Sequence, residues 1–387
     1  MSTRASKPEQ QKTWVFYTLN DFIHTKVTGG TKRFRELIYD LLEMGDTVHL
    51  YIPEPNGFED RRNLHKHPLK RKASRWFPDS LLNFVLNYRR LKAIRHLDYD
   101  KAVLVSVPYG FQAAWLGIHK TALIIWEDFV AYRLLQHSRP FVKLFGSFLV
   151  PVLTWFERKA LVHAETIITQ CAYDKRVLME RHPAFAQTIE AKTRVLPNNV
   201  DPSWVKENEK YIRPSEKNYA APFELVFIGN IDNERKGLHI LLGAAEKLIK
   251  AGYTFTLEVI GDGKLLKDYR AGYAAYPQIR FLGKQENPME TLASKDLLVV
   301  PSLADSFPNT VMEGLFLEIP VLGSRRGGIP EMLQFEELLF EPGEESLFTK
   351  LQAILKEEEM KKLAELGKKR KEALSFDWSG EMRRRLS

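Results

Sequence analysis

Short apolar runs recur along this chain, separated by segments whose apolar side chains return every three or four positions. Runs without alternation read as strands covered on both faces, and the longer spacing reads as helices packed over them. In the second half the runs are 223–229, 255–261, 279–283, 297–301 and 320–323, each followed by a helical segment. That order predicts a doubly wound parallel sheet. The first half offers 14–19, 47–52, 102–107, 122–126, 166–169 and 194–196. Between the first two, Phe34, Leu37, Ile38, Leu41 and Leu42 mark a helix that Gly45 should stop. Strand, Gly29-Gly30 loop, helix and strand make a βαβ unit with its ligand edge at the strand ends, although most glycine pairs taken alone are plain turns. Residues 202–222 are polar and poorly periodic, so they read as a linker between a domain 1–201 and a domain 223–375. Residues 345–373 read as one long charged helical stretch, and 61–75 as a flexible loop.

The segment 296–331 concentrates the candidate chemistry. Its apolar run ends at Pro301-Ser302 and a polar loop follows. Val311, Met312, Leu315 and Phe316 then recur at helical spacing, with Pro308 just ahead of the first turn. A helix starting there points its N-terminus out of the strand ends, where the amides of Asn309, Thr310 and Val311 and the macrodipole suit phosphate. Asp305 and Glu313 flank that turn. A carboxylate repels phosphate but accepts two hydroxyl hydrogen bonds, so sugar hydroxyls are its natural partners. Taken as an isolated pair, the two acids read rather as a loop cap and a surface helix acid; the surrounding pattern reverses that. A nucleotide-sugar supplies both a diphosphate and hydroxyls.

Asp305, Ser306, Phe307, Pro308, Glu313, the short apolar helix, Pro320-Val321 and the loop Gly327-Gly328-Ile329-Pro330-Glu331 together resemble the donor site of the retaining glycosyltransferase family 4. The resemblance implies an α/β chain of the GT-B fold, two doubly wound Rossmann-like domains facing each other across a cleft. It is strong over 223–331 and looser before 201. By the same resemblance Lys236 meets the donor diphosphate, Asn230 stands where the family has an arginine, and Arg235 substitutes for it in part. Gly29 and Gly30 face the donor phosphate, Gly229 and Gly261 let backbone crowd the ligand, and Lys284 neighbours the base. Glu313 holds the ribose and Asp305 the donor sugar, although the family motif normally opens with Glu. Glu127 and Asp128 fall on the acceptor side, where the family usually has His-Asp. Asn199 replaces a common glycine and can take left-handed backbone in its stead. Phe376-Asp377-Trp378 resembles the point where the last helix crosses back, which assigns 376–387 to the first domain.

Composition narrows the class. The chain has 387 residues, 44% hydrophobic and 27% charged, which describes a globular protein of two domains. One cysteine, Cys171, excludes an intrachain disulfide and a multi-cysteine zinc site, and fits a reducing cytoplasm. The polar first twelve residues lack a secretory signal, and the longest uncharged apolar stretch, 144–156, is too short to span a bilayer. The expected location is cytoplasmic, or peripheral at the inner face of the cell membrane. Residues 1–200 carry 30 Lys/Arg against 19 Asp/Glu, a net +11, whereas the rest carry 27 against 30, a net −3. The segment 61–95 holds eleven Lys/Arg and a single acid, Asp79, interleaved with Trp76, Phe77, Leu81, Phe84, Val85 and Tyr88. It reads either as a surface that lies on anionic lipid or as the solvated face of a domain helix. No nucleic-acid-binding module surrounds it.

Other signatures fail. Asp98-Tyr99-Asp100 precedes a strand, at the wrong sheet edge for a metal, and Gly261-Asp262-Gly263 has no third glycine at Leu266. The resemblance to family 4 implies a metal-independent hexosyltransferase. It moves sugar from a nucleotide-diphosphate donor, UDP favoured, to a lipid-linked, polysaccharide or protein acceptor with retention, in cell-surface glycan synthesis. Its catalytic residues are Asp305, Glu313 and Lys236. The rivals are a catalytically silent partner of the same fold, which Asn230, Glu127 and Asp305 favour, and a nicotinamide enzyme, which the failed glycine fingerprint disfavours.

Overall fold

The computed structural model describes residues 11–19, 29–72, 79–126, 128, 130, 140–199, 202–212 and 218–386. The chain divides into two compact units, residues 1–196 with 377–387 and residues 197–376.

The first unit runs β1 (Thr13–Tyr17), α1 (Gly29–Glu43), β2 (Thr47–Ile52), β3 (Leu64–Pro68), α2 (Asp79–Ala93), β4 (Lys101–Val105), α3 (Val107–Leu116), β5 (Thr121–Ile125), α4 (Pro140–His163), β6 (Thr166–Thr169), α5 (Ala172–Arg181), α6 (Ala186–Lys192) and β7 (Thr193–Val195). All strands pair in parallel in the order β3-β2-β1-β4-β5-β6-β7, so the winding reverses between β1 and β4. β1 shows why its run lacks alternation: Val15 and Tyr17 enter one core layer, and Trp14 and Phe16 are equally buried on the opposite face. Gly29 and Gly30 open α1 rather than forming a loop.

The expected loop over 61–75 is corrected in part, since 64–68 is the edge strand β3. What fixes the chain after it is a pair of buried asparagines on α2. Asn87 Nδ2 donates to the Lys70 carbonyl and its Oδ1 accepts from the Lys70 N–H, both at 2.7 Å. Asn83 does the same at Lys72, at 2.9 and 2.7 Å. Two side-chain amides thus take the place of a strand partner.

The second unit runs α7 (Pro202–Asn208), β8 (Phe223–Ile228), α8 (Leu238–Lys250), β9 (Phe255–Ile260), α9 (Leu266–Gly272), β10 (Ile279–Gly283), α10 (Pro288–Ser294), β11 (Leu297–Val300), α11 (Asn309–Phe316), β12 (Val321–Ser324), α12 (Ile329–Leu333), β13 (Leu339–Phe340), α13 (Glu344–Ile354) and α14 (Glu357–Ala373). The sheet is parallel in the order β10-β9-β8-β11-β12-β13.

Three sequence expectations change in this unit. Part of the 202–222 stretch is helical, and Trp204 of α7 meets Phe316 edge-on at 4.6 Å, so an aromatic contact offsets its poor periodicity. The charged stretch 345–373 is two helices, because Lys356 is extended and Glu357, Glu358 and Glu359 favour a fresh helix N-terminus. Asn199 is absent from the positive-φ residues; instead its Nδ2 donates to the Phe376 carbonyl at 2.7 Å.

The last helix, α15 (Trp378–Leu386), belongs to the first unit. Its Arg383 grips the buried Asp46 through Nε at 2.8 Å and Nη2 at 3.0 Å. Trp14 Nε1 at 2.8 Å and the Lys12 N–H at 3.0 Å complete the carboxylate's shell. Burial alone would raise the Asp46 pKa, but these hydrogen bonds hold it below the ordinary value.

Candidate functional site

The sequence candidates of the second unit converge on the C-terminal ends of its strands, and backbone contacts explain how. The Gly229 N–H after β8 donates to the Ile260 carbonyl at 3.0 Å, and the Gly261 N–H after β9 donates to the Gly283 carbonyl at 2.9 Å. The loop after β8 ends in a 3-10 turn over Glu234–Lys236, capped by Asn233 Oδ1 accepting from the Arg235 N–H at 3.0 Å. Gly237 then turns into α8 at φ +69°, and a Cβ there would lie 1.9 Å from the Pro301 carbonyl oxygen. Only glycine lets this turn sit against the end of β11. Gly327, at φ +60°, makes the equivalent close approach to the Asp305 carbonyl, and the Gly328 N–H donates to that carbonyl at 2.9 Å. The Asp305 loop is thus clamped between the turn after β8 and the turn after β12.

Clamping brings charges together. Asp305 accepts from Arg235 Nη1 at 2.7 Å through one carboxylate oxygen and from Lys236 Nζ at 2.8 Å through the other. Arg235 also donates to the Ala304 carbonyl at 3.0 Å. The carboxylate is 9% exposed, against 28% for the Arg235 side chain and 19% for Lys236. Glu313, half-buried one turn into α11, completes the group. Burial pushes its carboxyl up to about 7, against a smaller opposing pull from the Lys236 ammonium. A carboxyl at that value is poised to change charge near neutral pH.

Several candidates hold other positions than the sequence suggested. The Val311 N–H donates to the Pro308 carbonyl at 3.1 Å, so of the three α11 amides expected to face phosphate one is used within the helix start. The Phe307 and Val311 side chains are buried in the core and fix where α11 begins. Asn230 turns inward on its own loop: its Oδ1 accepts from the Asp232 N–H at 2.8 Å and its Nδ2 donates to the Asp232 carboxylate at 2.9 Å. Pro308, Asn309 and Thr310 lie at the α11 start, Ser306 beside Asp305, and Lys284 is exposed just after β10.

In the first unit Glu127 lies outside the described residues. Asp128, just past β5, is paired with Arg181 of α5. That arginine also donates to the fully buried Glu157 at 3.0 and 2.9 Å, and His182 Nε2 meets Glu157 at 2.9 Å. Sequence reasoning missed this network, since its members lie on separate elements with no common spacing. Among the described residues no group of three or more His, Cys, Asp or Glu side chains is arranged to share a metal ion, and no helix is long and apolar enough to cross a membrane.

Residues 222–357, the strands and loops that build this charge cluster, match the family model for glycosyl transferases group 1. The chain has the GT-B fold. Sulfoquinovosyl transferase of Arabidopsis thaliana is 30% identical to this chain over 182 residues, which span 45% of the chain but only 34% of the plant protein. Sucrose-phosphate synthase from Thermosynechococcus elongatus superposes at a TM-score of 0.72 with 18% identity, over 97% of this chain and 99% of that one. HepE of Anabaena, solved with UDP-glucose, superposes at 0.65 with 14% identity, over 97% and 98% of the two chains.

Proposed function

We propose that this chain transfers a hexosyl group from a nucleotide-diphosphate donor, UDP-sugar favoured, to a glycan, lipid-linked or protein acceptor with retention of configuration, as a member of glycosyltransferase family 4. The observation that carries the reading is the meeting of Arg235, Lys236, Asp305 and Glu313 at adjacent strand ends. The solved UDP-glucose complex of HepE, whose fold this chain shares, supports the choice of donor.

In this reading Asp305 keeps the two cations neutralised until a diphosphate arrives and competes for them. The sugar–phosphate bond breaks as the acceptor oxygen bonds to the anomeric carbon on the same face, and the acceptor proton passes to the leaving diphosphate. Negative charge grows on the diphosphate during bond cleavage, so Lys236 and Arg235 stabilise the transition state more than the ground state. Those cations serve in place of a metal, and activity should persist in a chelator. Glu313 takes the ribose hydroxyls in its ionised form, so donor affinity should rise as pH increases through about 7.

Thermal stabilisation by a panel of UDP-, GDP- and ADP-sugars tests the reading. One base should raise the melting temperature, and Glu313→Ala should abolish that rise. If no nucleotide sugar stabilises the chain, the donor site is wrong. Stabilisation without donor hydrolysis or transfer points instead to a silent partner subunit, a reading favoured by the full occupation of both Asp305 oxygens.

A further inference from the structure

Ten large apolar side chains are exposed among the described residues, and seven of them lie on α2, α3 and α4 of the first unit. Single exposed apolar residues are ordinary, but a concentration on adjacent helices marks a contact surface. The positions fall in stripes at helical spacing. Leu81, Val85, Tyr88 and Lys92 follow one face of α2, Phe111 and Trp115 one face of α3, and Val152, Trp155, Lys159 and Val162 one face of α4. Aromatic contacts knit the stripes together. Trp115 meets Phe84 at 5.4 Å and Tyr88 at 5.8 Å, and Phe111 meets Trp155 at 5.5 Å. Val85 is 65% exposed, Trp115 63%, Leu81 53%, Val152 48% and Trp155 42%, so the outer side chains are aliphatic residues and two indoles.

Charge on these segments is mainly basic. Residues 79–97, 107–120 and 150–163 carry seven Lys/Arg and two acids, Asp79 and Glu157. Glu157 is fully buried and already bonded to Arg181 and His182. Lys92 stands 6.0 Å from the Tyr88 ring and Lys159 5.9 Å from the Trp155 ring, each with its ammonium beside an aromatic of its own stripe. Tryptophan, tyrosine and lysine in this relation suit the boundary between lipid headgroups and acyl chains, where the ring enters and the ammonium stays with the phosphates.

We propose that the α2–α3–α4 face docks the protein on an anionic lipid bilayer, with Trp115 and Trp155 inserted at headgroup depth and Lys92 and Lys159 on lipid phosphates. The excess of seven Lys/Arg over two acids on these segments favours an anionic lipid surface over a second copy of this chain, which would bring like charge against like. The proposal stands independently of the donor reading.

Cosedimentation of the full chain with vesicles tests it. Vesicles of equal parts phosphatidylglycerol and phosphatidylcholine should bind the chain, and pure phosphatidylcholine vesicles much less. Replacing both Trp115 and Trp155 by Ala should lower partitioning by about tenfold or more, from the lost ring burial. Lys92→Ala and Lys159→Ala should each lower it about fivefold on anionic vesicles only, and raised salt should erase that difference. Unchanged melting curves identify the variants as folded, and the lysine variants decide the matter if the double tryptophan variant does not fold. Failure of the wild-type chain to bind anionic vesicles overturns the proposal, as does binding indifferent to both sets of variants. Self-association of the chain that the tryptophan variant dissolves, without vesicle binding, assigns the face to a copy-to-copy interface instead.

Discussion

Two aspartates in this molecule hold cations, and the contrast between them separates architecture from chemistry. Asp46 is wholly buried, and Arg383 opposite it is 5% exposed. Its oxygens take hydrogen bonds from Arg383, Trp14 and the Lys12 N–H, all contributed by core strand β1, the residue preceding it or the last helix. Asp305 holds two cations at similar distances, but on loops at strand ends, with both partners partly exposed and Glu313 nearby at an elevated pKa of about 7. Equal contacts therefore carry different meanings: the enclosed pair has no alternative partner, while the open one can exchange its acid for another anion.

The largest expected effect breaks the enclosed pair. Arg383→Met leaves Asp46 charged in the core and should cost about 3–5 kcal/mol in denaturant unfolding, with little change in donor affinity once folded. A loss under ~1 kcal/mol would show that Asp46 is not an architectural anchor. The complementary substitution, Lys236→Ala, should leave unfolding nearly unchanged while lowering kcat/KM by ~100-fold, the scale of losing one charged transition-state partner. Intact turnover in that variant would place the diphosphate elsewhere.

Glu313 sharpens the contrast through pH. Its folded-state pKa, about 7, stands above the ordinary 4.5, so the folded protein binds more protons and loses stability as pH rises between those values. Glu313→Gln should be more stable than the parent above neutral pH, by on the order of 2–3 kcal/mol, and the difference should vanish below about pH 4.5. Parallel unfolding curves across that range would refute a strained carboxyl. The smallest effect belongs to Asp305→Asn. Freeing Arg235 and Lys236 should tighten nucleoside diphosphate binding by a few-fold in calorimetry, about 1 kcal/mol, even as sugar transfer weakens. Weaker diphosphate binding would mean that Asp305 organises the cations rather than competing for them.

Most strands of both sheets were legible because parallel strands covered on both faces leave unbroken apolar runs, as Leu297–Val300 does, and α11 begins at Asn309 as Pro308 implied. β13 escaped notice because two residues carry no period, and β3 because Leu64 is followed by His65, Lys66 and His67, which show no apolar alternation. Lys236, Asp305 and Glu313 could be nominated from local motifs, each set by a turn or a helix start in its own segment.

What the chain order does not contain is which nominated groups touch. The pairing of Asp305 with Arg235 and Lys236 spans about seventy residues and exists because Gly237 and Gly327 allow two turns to press on one loop. Trp115 and Trp155 were silent in the sequence, since each lies on its own helix; only packing of α2, α3 and α4 brings Trp115 against Tyr88 and Trp155 against Phe111. Periodicity and turn chemistry act over a few residues and so are written in the sequence, whereas contact across the fold depends on how every intervening element packs.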